Sequence, residues 1–347
     1  MRNSVILSYS ARCAALRRNA YLDALRPLVQ MSLDLFKSEI KDLSMSTLPV
    51  KRHHTPPFRR REMMEGYLFA APFLLGFLIF VAFPMGWAFV LNFQRYNLLS
   101  PPRWVGLDNL IEVGQDAKVW LSLWNTAYYA FTSVPLQLAL AFGCAVLLNQ
   151  PIRGRNFYRT ALYMPVIVPI VVSAFIWQRA YHPDFGIINE VIGWFGVAPR
   201  AWLFEPALAI PAFVFMRIWV MGTQMVIFLA GLQNVPTSLL EAAALDGAGA
   251  WRKFWHVTVP IMTPVIFFNL IVGIIGNFQV FAPALIMTKG GPQDATLFMV
   301  LYIYRNAFEY SKIGYAAAVS WVLFVVIILL TIVQFRFSGR WVYYENE

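Results

Sequence analysis

The sequence contains six long apolar segments, each long enough to cross a lipid bilayer as a helix. A helix needs about 20 mainly apolar residues to span the hydrocarbon core. Loops with Pro, Gly and charged residues separate the segments, as expected at a membrane surface. The sequence therefore predicts an all-α integral membrane protein with six transmembrane helices. The segments are residues 67–93, 122–149, 160–181, 206–232, 259–287 and 312–337.

The composition agrees with a bilayer as the solvent of this chain. Of the 347 residues, 59% are hydrophobic and 13% are charged, whereas soluble domains have about 45–50% and about 25%. The mean hydropathy is +0.57. A net charge of +10 would suggest nucleic acid in a soluble protein, but basic residues beside apolar segments indicate orientation instead. We therefore expect contacts with membrane lipid and none with nucleic acid.

The positions of lysine and arginine predict how the chain is oriented. Several lie before the first segment, three arginines lie in the turn at 150–159 without an acidic residue, and others are Arg252, Lys253, Arg336 and Arg340. In the remaining loops, basic residues are matched by acidic ones. Because short cytoplasmic loops carry the excess of Lys and Arg, we expect both termini and the loop containing Arg252 to be cytoplasmic.

The parts of the sequence outside the apolar core divide into an extension, a first helix with its loop, and a tail. Two interpretations of the extension remain open. It is disordered or forms a basic amphipathic helix on the membrane surface, or the natural protein starts at Met45 and residues 1–44 do not belong to it. The predicted regions are a cytoplasmic extension (1–62), the first helix and an extracytoplasmic loop (63–121), the transmembrane core (122–338) and a cytoplasmic tail (339–347).

The sequence does not predict catalysis on this chain. Cys13 and Cys144 lie far apart, and the four histidines form no cluster with metal-ligand spacing. No nucleophile–base arrangement and no phosphate-binding glycine loop is evident. We therefore expect no catalytic residue, no metal and no cofactor.

The loop "EAAALDGAGAWRKFWHVTVP" at 241–260 is predicted to form two short helices at an angle. Its beginning is rich in helix formers, and Ser238 with Glu241 fits a capping box. Gly247 can adopt backbone angles that are costly for other residues, so it ends the first helix. A second short helix presents aromatic side chains before Pro260 opens the fifth segment. This arrangement suits docking into a groove of a partner protein.

These residues resemble the EAA loop of binding-protein-dependent ABC importers. The family pattern is Glu-Ala-Ala, three residues, Gly, nine residues, Ile, one residue, Leu-Pro. Two valines replace the Ile and the Leu of this pattern. The matching residues are Glu241, Ala242, Ala243, Gly247, Val257, Val259 and Pro260.

In that family the loop is a coupling helix, which lies in a cleft of the ATP-hydrolysing subunit. The resemblance implies that Glu241 pairs with a basic residue of the ATPase and that Gly247 makes the bend. It also assigns Ala242, Ala243, Asp246 and Pro260 to the ATPase-coupling segment.

Four further stretches resemble the carbohydrate-uptake branch, of the maltose and glycerol-3-phosphate permease type. They are "FQRYNLLSPPRWVGLDNL", "GRNFYRTALYMPVIVP", "MVIFLAGLQNVP" and "MTKGGPQDATLFMVLYIYRNAF", and the likeness covers roughly residues 63–340. The resemblance implies the type I importer permease fold, in a bacterial plasma (inner) membrane. It implies three kinds of partner: a pair of ATP-binding subunits that hydrolyse the ATP, a second homologous permease, and an extracytoplasmic solute-binding protein. The solute would be a di- or oligosaccharide or a glycerol phosphate.

Polar side chains in the fourth and fifth segments predict a substrate pathway, because polar groups that face lipid are costly. The resemblance aligns Asn277 with a sugar-contacting asparagine of the maltose type. Alternatively, Asn277 and Gln279 form only hydrogen bonds between helices. Arg217 binds an acidic sugar, pairs within the bundle or extends towards the outer interface, while Trp177 is expected in the interfacial aromatic belt. The candidates are Arg217, Trp219, Thr223, Gln224, Asn277 and Gln279.

A secondary transporter driven by an ion gradient is the alternative function. Such transporters usually have paired repeats with interrupted helices and buried acidic residues for the coupling ions. No Asp or Glu lies inside any of the six segments. The sequence therefore favours an ATP-driven importer.

Overall fold

A computed structural model describes the backbone of residues 58–343 and the side chains of residues 62–343. Both interpretations of residues 1–44 therefore concern residues outside the described range. The chain divides into two units, Met1–Gly76 and Phe77–Glu347. The described part of the first unit is helical, and the candidate functional site lies in the second unit.

The described part of the chain consists of helices and one short hairpin-like pair of strands. Strands β1 (Gln94–Arg95) and β2 (Arg103–Trp104) pair antiparallel, with Gln94 opposite Trp104. Three π-helical turns span Leu78–Ala82, Phe254–Thr258 and Arg305–Glu309. The α-helices are α1 (Phe58–Phe77), α2 (Phe83–Leu91), α3 (Asp108–Gln115), α4 (Ala117–Asn149), α5 (Arg155–Ile167), α6 (Ile170–Ala180), α7 (Ile187–Gly193), α8 (Pro206–Trp219), α9 (Gly222–Gln233), α10 (Thr237–Leu245), α11 (Ala250–Lys253), α12 (Val259–Phe278), α13 (Ala282–Met287), α14 (Met299–Tyr304) and α15 (Ile313–Ser338).

Each of the six predicted segments corresponds to a long helix or to a bent pair of helices. Two pairs, α5 with α6 and α8 with α9, are bent by 99° and 47° and count as spans only if each pair is taken together. The described residues thus contain four to six helices able to cross a bilayer. The four long ones are Glu62–Leu91, Ala117–Asn149, Ala250–Met287 and Ile313–Ser338.

The third predicted segment is broken because of Pro169. Helix α5 ends at Ile167, Val168 is extended with φ −72° and ψ 124°, and Pro169 precedes α6. A proline ring disfavours the helical conformation in the residue before it and removes a backbone donor. The two helices on either side of this break are bent by 99° relative to each other.

Helix α4 is the centre of the second unit and packs against α8, α9 and α12. Its inner face contains alanines with no exposed surface, including Ala130, Ala141 and Ala145. Small residues allow membrane helices to approach closely. Gly222, at the start of α9, illustrates this requirement, because a Cβ atom there would lie 2.6 Å from the carbonyl oxygen of Leu162.

Trp177 on α6 is packed inside the bundle, so its assignment to the interfacial aromatic belt was wrong. Its side chain is 8% exposed. The ring forms edge-to-face contacts with Phe215 and Trp219, at centroid distances of 5.5 and 5.6 Å. The sequence alone did not distinguish this tryptophan from those at the ends of the helices, because its partners come from a different segment.

The segment at 288–298, hereafter the anchored turn, is fixed to the beginning of α4. Asn125 Nδ2 donates to the carbonyl oxygen of Asp294 at 2.9 Å. The Thr126 hydroxyl accepts from the backbone N–H of Met299, the next residue, at 2.9 Å. The Lys118 ammonium lies 3.0 Å from the Asp294 carboxylate. This turn is therefore held by side chains that lie about 170 residues earlier in the sequence.

Asp116, which precedes α4, holds the helix that follows the anchored turn. Its Oδ2 accepts hydrogen bonds from the hydroxyls of Tyr302 and Tyr315, the latter at 2.5 Å. Burial raises the pKa of Asp116, but these bonds and the amide of Lys118 outweigh that effect and hold the pKa below 3.8. Burial and the same carboxylate raise the pKa of Tyr302 to about 12. The cluster therefore contains an ionised carboxylate and two neutral phenols at neutral pH.

Candidate functional site

The segment that joins α9 to α12, here called the coupling elbow (residues 237–258), has two helical arms. The first arm, α10, begins at Thr237 after Pro236, and no side chain caps it. The predicted capping box is therefore wrong. Pro236 adopts the extended conformation, with φ −61° and ψ 124°, so it occupies the capping position and Ser238 falls inside the helix. The carboxylate of Glu241 consequently forms no capping hydrogen bond in its own helix.

Gly247 makes the bend between the two arms, as predicted. Its φ is +76°, and a Cβ atom there would meet nothing within 4 Å. The N–H of Ala248 bonds to the carbonyl of Ala243 at 2.9 Å, and the N–H of Gly247 bonds to that of Ala244 at 3.0 Å. This is a Schellman motif, which needs a left-handed residue after the helix. Glycine is thus required here for its backbone angle and not for space.

The second arm is continuous with the following membrane helix, which the sequence did not predict. Helix α11 runs through the π-helical turn at Phe254–Thr258 into α12. The whole run, Ala250–Met287, is 38 residues long. The wider turn before Pro260 replaces the regular bonding pattern that a proline ring would obstruct. Pro260 therefore does not begin a new helix, and the second arm and the fifth segment form one long element.

The coupling elbow exposes large apolar side chains together with acidic ones. The exposed fraction is 90% for Leu245, 74% for Trp251 and 49% for Trp255. Glu241 and Asp246 are also exposed, and neither forms an ion pair with another described residue. Exposed apolar surface bordered by polar groups marks an interaction site. The elbow therefore has the chemistry of a docking surface for another protein.

A cavity of about 330 Å³ lies between α4, α8 and the end of α12. Its lining combines aromatic rings with polar groups, among them Tyr129, Phe213, Arg217, Asn277 and Gln279. Aromatic side chains with a small number of polar groups are typical of sites for small molecules. The cavity contains three of the six predicted pathway residues.

The polar groups of this cavity are only partly used by the protein itself. Asn277 is 2% exposed, and its Nδ2 donates to the carbonyl of Gly273 on the same helix at 2.8 Å. Gln279 caps the end of α12 and is exposed. The Nε of Arg217 is buried and has no hydrogen-bond partner among the described residues. The amide nitrogen of Asn277 therefore bonds within its own helix and not to another helix, which was the alternative suggested for this residue.

The other three predicted pathway residues do not line this cavity. Trp219 packs on Trp177. Gln224 accepts a hydrogen bond from Gln137 Nε2 at 3.4 Å, and Thr223 is exposed. The sequence missed Tyr129 and Phe213, because nothing in their segments distinguishes them from the many other aromatic residues.

A bundle of membrane-spanning helices with a polar cavity and an exposed elbow is typical of a membrane permease. Residues 137–343 match the family described as "Binding-protein-dependent transport system inner membrane component". The chain belongs to this family.

Two relatives and one solved structure extend the comparison. The probable ABC transporter permease protein YesP of Bacillus subtilis strain 168 is 41% identical and covers 83% of this chain and 94% of that protein. The arabinooligosaccharides transport system permease protein AraP of the same organism is 32% identical, with coverage of 79% and 88%. A bacterial alginate ABC transporter, solved with an alginate pentasaccharide-bound periplasmic protein, matches with a TM-score of 0.73 at 21% identity, over 83% of this chain and 98% of that one.

These comparisons confirm the predicted class of protein. The chain is an ABC importer permease of the sugar-transport type, with the type I fold, in the inner membrane. Because the family is a transport component, the chain is a permease subunit and not an enzyme. The ion-gradient-driven alternative is not favoured, because the family is binding-protein-dependent. The roles of individual residues and the boundaries of the predicted regions stay predictions.

Proposed function

We propose that this chain forms half of the membrane channel of an ATP-driven importer for a di- or oligosaccharide. A second, homologous permease forms the other half, and a pair of ATP-binding subunits hydrolyses the ATP. An extracytoplasmic binding protein delivers the solute. Support comes from the arabinooligosaccharide transport of one relative and from the oligosaccharide-loaded binding protein of the structural neighbour. The cavity, with its aromatic rings and amides, fits the apolar faces and hydroxyls of sugars.

The exposed coupling elbow is the single observation on which the ATPase assignment depends. Glu241 has no ion-pair partner among the described residues and lies near the exposed Leu245 and Trp251, so it suits a partner with a basic group and an apolar groove. In this proposal Glu241 pairs with a basic residue of the ATPase. Ala242, Ala243 and Asp246 belong to the same contact surface, Gly247 sets the angle of the two arms, and Pro260 lies where the second arm meets the membrane.

The continuity of the second arm with α12 provides a mechanism for coupling. Ala250 and Asn277 lie on the same long helical run, separated by about 40 Å at 1.5 Å per residue. When ATP closes the ATPase dimer, the docked elbow moves and displaces this run. The displacement changes the wall of the cavity at Asn277. Inward-facing and outward-facing states then differ in their contacts with the solute, as a ligand-driven shift requires.

The pathway residues take different parts in this proposal. Asn277 and Gln279 offer amides to sugar hydroxyls from the cavity wall. Trp219 and Gln224 hold α8 and α9 against neighbouring helices, and Thr223 faces outwards, where the second permease would contact it.

The docking of the coupling elbow also indicates on which side of the membrane the C-terminal tail lies. The backbone N–H of Tyr343 donates to the Thr263 hydroxyl at 2.9 Å, so the end of the described chain lies beside the first turns of α12. Because the elbow precedes α12, an elbow docked on a cytoplasmic ATPase brings the C-terminal tail to the cytoplasm. The arginines before the first segment favour the same side for the N-terminus.

A cross-linking experiment on the assembled transporter tests the docking. Cys13 and Cys144 are replaced by serine, and a single cysteine is introduced at Leu245 or, as a control, at Leu99. Both leucines are 90% exposed, but Leu99 lies in the loop between β1 and β2, away from the elbow. We expect a bifunctional reagent to join position 245 to the ATP-binding subunit and to leave position 99 unlinked. Equal linking at both positions, or none at 245, would contradict the proposal.

The energy source is tested separately with inverted or right-side-out vesicles that contain the complete transporter. We expect saccharide uptake to need ATP and the loaded binding protein and to continue when an ionophore removes the ion gradients. Uptake that stops with the ionophore while ATP remains present would favour a secondary transporter.

A further inference from the structure

Arg217 is a cation in the cavity for which no described carboxylate serves as counter-ion. It lies in the last turn of α8 and is one of the residues that line the cavity. No lining residue is an Asp or a Glu, and no described carboxylate forms an ion pair with it. Its Nε is buried without a hydrogen-bond partner among the described residues.

Such a charge is expensive at membrane depth and needs compensation. Ionisable residues inside membrane proteins are rare, and they usually mark substrate pathways or pair with one another. The carbonyl end of α8 carries a partial negative charge and relieves a part of this cost. The phenol in the lining, that of Tyr129, is neutral and cannot replace a counter-ion. An anion that enters the cavity would complete the hydrogen bonding of the guanidinium.

We propose that Arg217 selects saccharides that carry a carboxylate, such as a uronic acid residue. This inference rests on the proposed function and names the substrate class of the same cavity. A guanidinium binds a carboxylate with two parallel N–H···O bonds. Tyr129 and Phe213 line the same cavity, and aromatic side chains suit the apolar face of a sugar ring. Asn277, whose Nδ2 is used by Gly273, offers its Oδ1 to a hydroxyl.

A carboxylate is favoured over a phosphate ester by the number of cationic groups. Arg217 is the one Lys or Arg in the lining, and it supplies a single positive charge. A phosphate monoester carries up to two negative charges, and phosphate sites commonly combine several donors, such as Arg or Lys clusters with backbone N–H groups. A monoanionic carboxylate is neutralised by one guanidinium, whereas a phosphate would keep an uncompensated charge in an apolar environment.

The experiment compares two disaccharides that differ at one group. Cellobiouronic acid carries a carboxylate where cellobiose carries a hydroxymethyl group, and cellobiose 6′-phosphate provides the phosphate arm. Saturation-transfer NMR measures their binding to the assembled transporter in nanodiscs, without the binding protein and without ATP. We expect cellobiouronic acid to bind about tenfold more tightly than cellobiose, as one charge-assisted pair predicts, and more tightly than the phosphate.

Variants of the arginine identify the source of this preference. Arg217→Gln should remove the preference, so that cellobiouronic acid binds no more tightly than cellobiose does. Arg179→Gln is the matched control, because Arg179 is stacked on Phe185 and lines a different cavity. No preference in the wild type, a preference that survives Arg217→Gln, or tighter binding of the phosphate would overturn the assignment.

Two further results keep the test decisive. If Arg217→Gln does not assemble, Arg217→Lys is used, because lysine keeps the charge but lacks the planar fork. The preference for the carboxylate should then shrink, and an unchanged preference would contradict a bidentate site. ATP-dependent uptake is measured independently, so a transporter that binds cellobiouronic acid through Arg217 but imports no saccharide would refute the proposed function and not this inference.

Discussion

The coupling elbow and the anchored turn are both polar connections between apolar helices, but their polar groups are used in opposite ways. In the anchored turn, the carbonyl oxygen and the carboxylate of Asp294 both bind side chains of α4. The backbone N–H of the residue after the turn donates to α4 as well. In the elbow, Glu241 and Asp246 have no ion-pair partner among the described residues. Its apolar side chains, above all Leu245, face outwards. The anchored turn therefore forms its polar contacts within the chain, whereas the coupling elbow leaves its polar and apolar groups available for a partner protein.

This difference predicts which measurement responds to a substitution in each region. Removing a partner from a buried hydrogen-bond network leaves the remaining groups unsatisfied and destabilises the fold. Changing an exposed surface residue alters stability by little, so its effect must be sought in docking and transport. The anchored turn should consequently affect unfolding, whereas the coupling elbow should affect coupling of ATP hydrolysis to uptake.

The largest effect is expected at Gly247. A Gly247→Val substitution should reduce ATP-driven uptake by at least about tenfold, because a β-branched residue at φ +76° costs about 1–2 kcal/mol or more and displaces the bent arm. Gly249→Ala is the matched control, since Gly249 has an ordinary φ of −67° and open space around it.

Gly247→Asn separates backbone angle from side-chain bulk, because asparagine tolerates the left-handed region. It should retain a large part of the uptake activity in vesicles. If Gly247→Val transports as well as the wild type, the bend is not part of the coupling. The coupling elbow and the anchored turn would then not differ in their role in transport.

The next effect concerns stability and distinguishes two aspartates. Asp116→Asn should lower the free energy of unfolding by about 1–3 kcal/mol, because Tyr302 and Tyr315 lose a charged acceptor. Asp246→Asn in the elbow should leave the unfolding temperature nearly unchanged. Thermal unfolding in detergent measures both. Equal shifts for the two variants would mean that the fold depends no more on the Asp116 carboxylate than on that of Asp246 in the elbow.

The sequence predicted these two regions unequally, for a physical reason. Local backbone requirements, such as the bend at Gly247, are visible in the chain itself, and so are the apolar segments that form the helices. The anchored turn depends on Asn125, and the helices that follow it depend on Asp116; the partners of both residues lie about 170–200 residues away in the sequence. The cavity likewise combines Tyr129 with Asn277. A pattern of spacing along the chain carries no information about such pairings.

The boundaries of the elbow show the limit of local prediction as well. Ser238 has the residue type of a cap, but Pro236 takes the capping position because its φ is already fixed. The second arm joins α12 through a π-helical turn, which no helix-propensity argument distinguishes from an ordinary break before Pro260. The positions of the helices were therefore predictable here, whereas their junctions depended on single residues.

A smaller effect is expected from pH. The pKa of Asp116 is lower in the folded protein than its ordinary 3.8, so the unfolded state binds more protons as the pH falls towards that value. The stabilisation from this carboxylate is therefore complete above about pH 5 and is lost as the pH falls through the folded-state pKa. The difference in stability between wild type and Asp116→Asn should shrink below pH 4. A difference that grows on acidification would show that the carboxylate is not the stabilising species.

The smallest effect is expected at Lys118, which tests whether charge alone holds the anchored turn. Its ammonium lies 3.0 Å from the Asp294 carboxylate, but the two side chains are 58% and 30% exposed. Ion pairs that are open to water contribute about 0–1 kcal/mol and weaken with salt. Lys118→Gln should therefore lower the unfolding free energy by less than about 1 kcal/mol, and less still in high salt. Asn125→Ala should cost more, because its amide bonds directly to the backbone of the turn. If Lys118→Gln proves the more damaging of the two, the turn is held by its surface charges, and the hydrogen bonds from α4 are secondary.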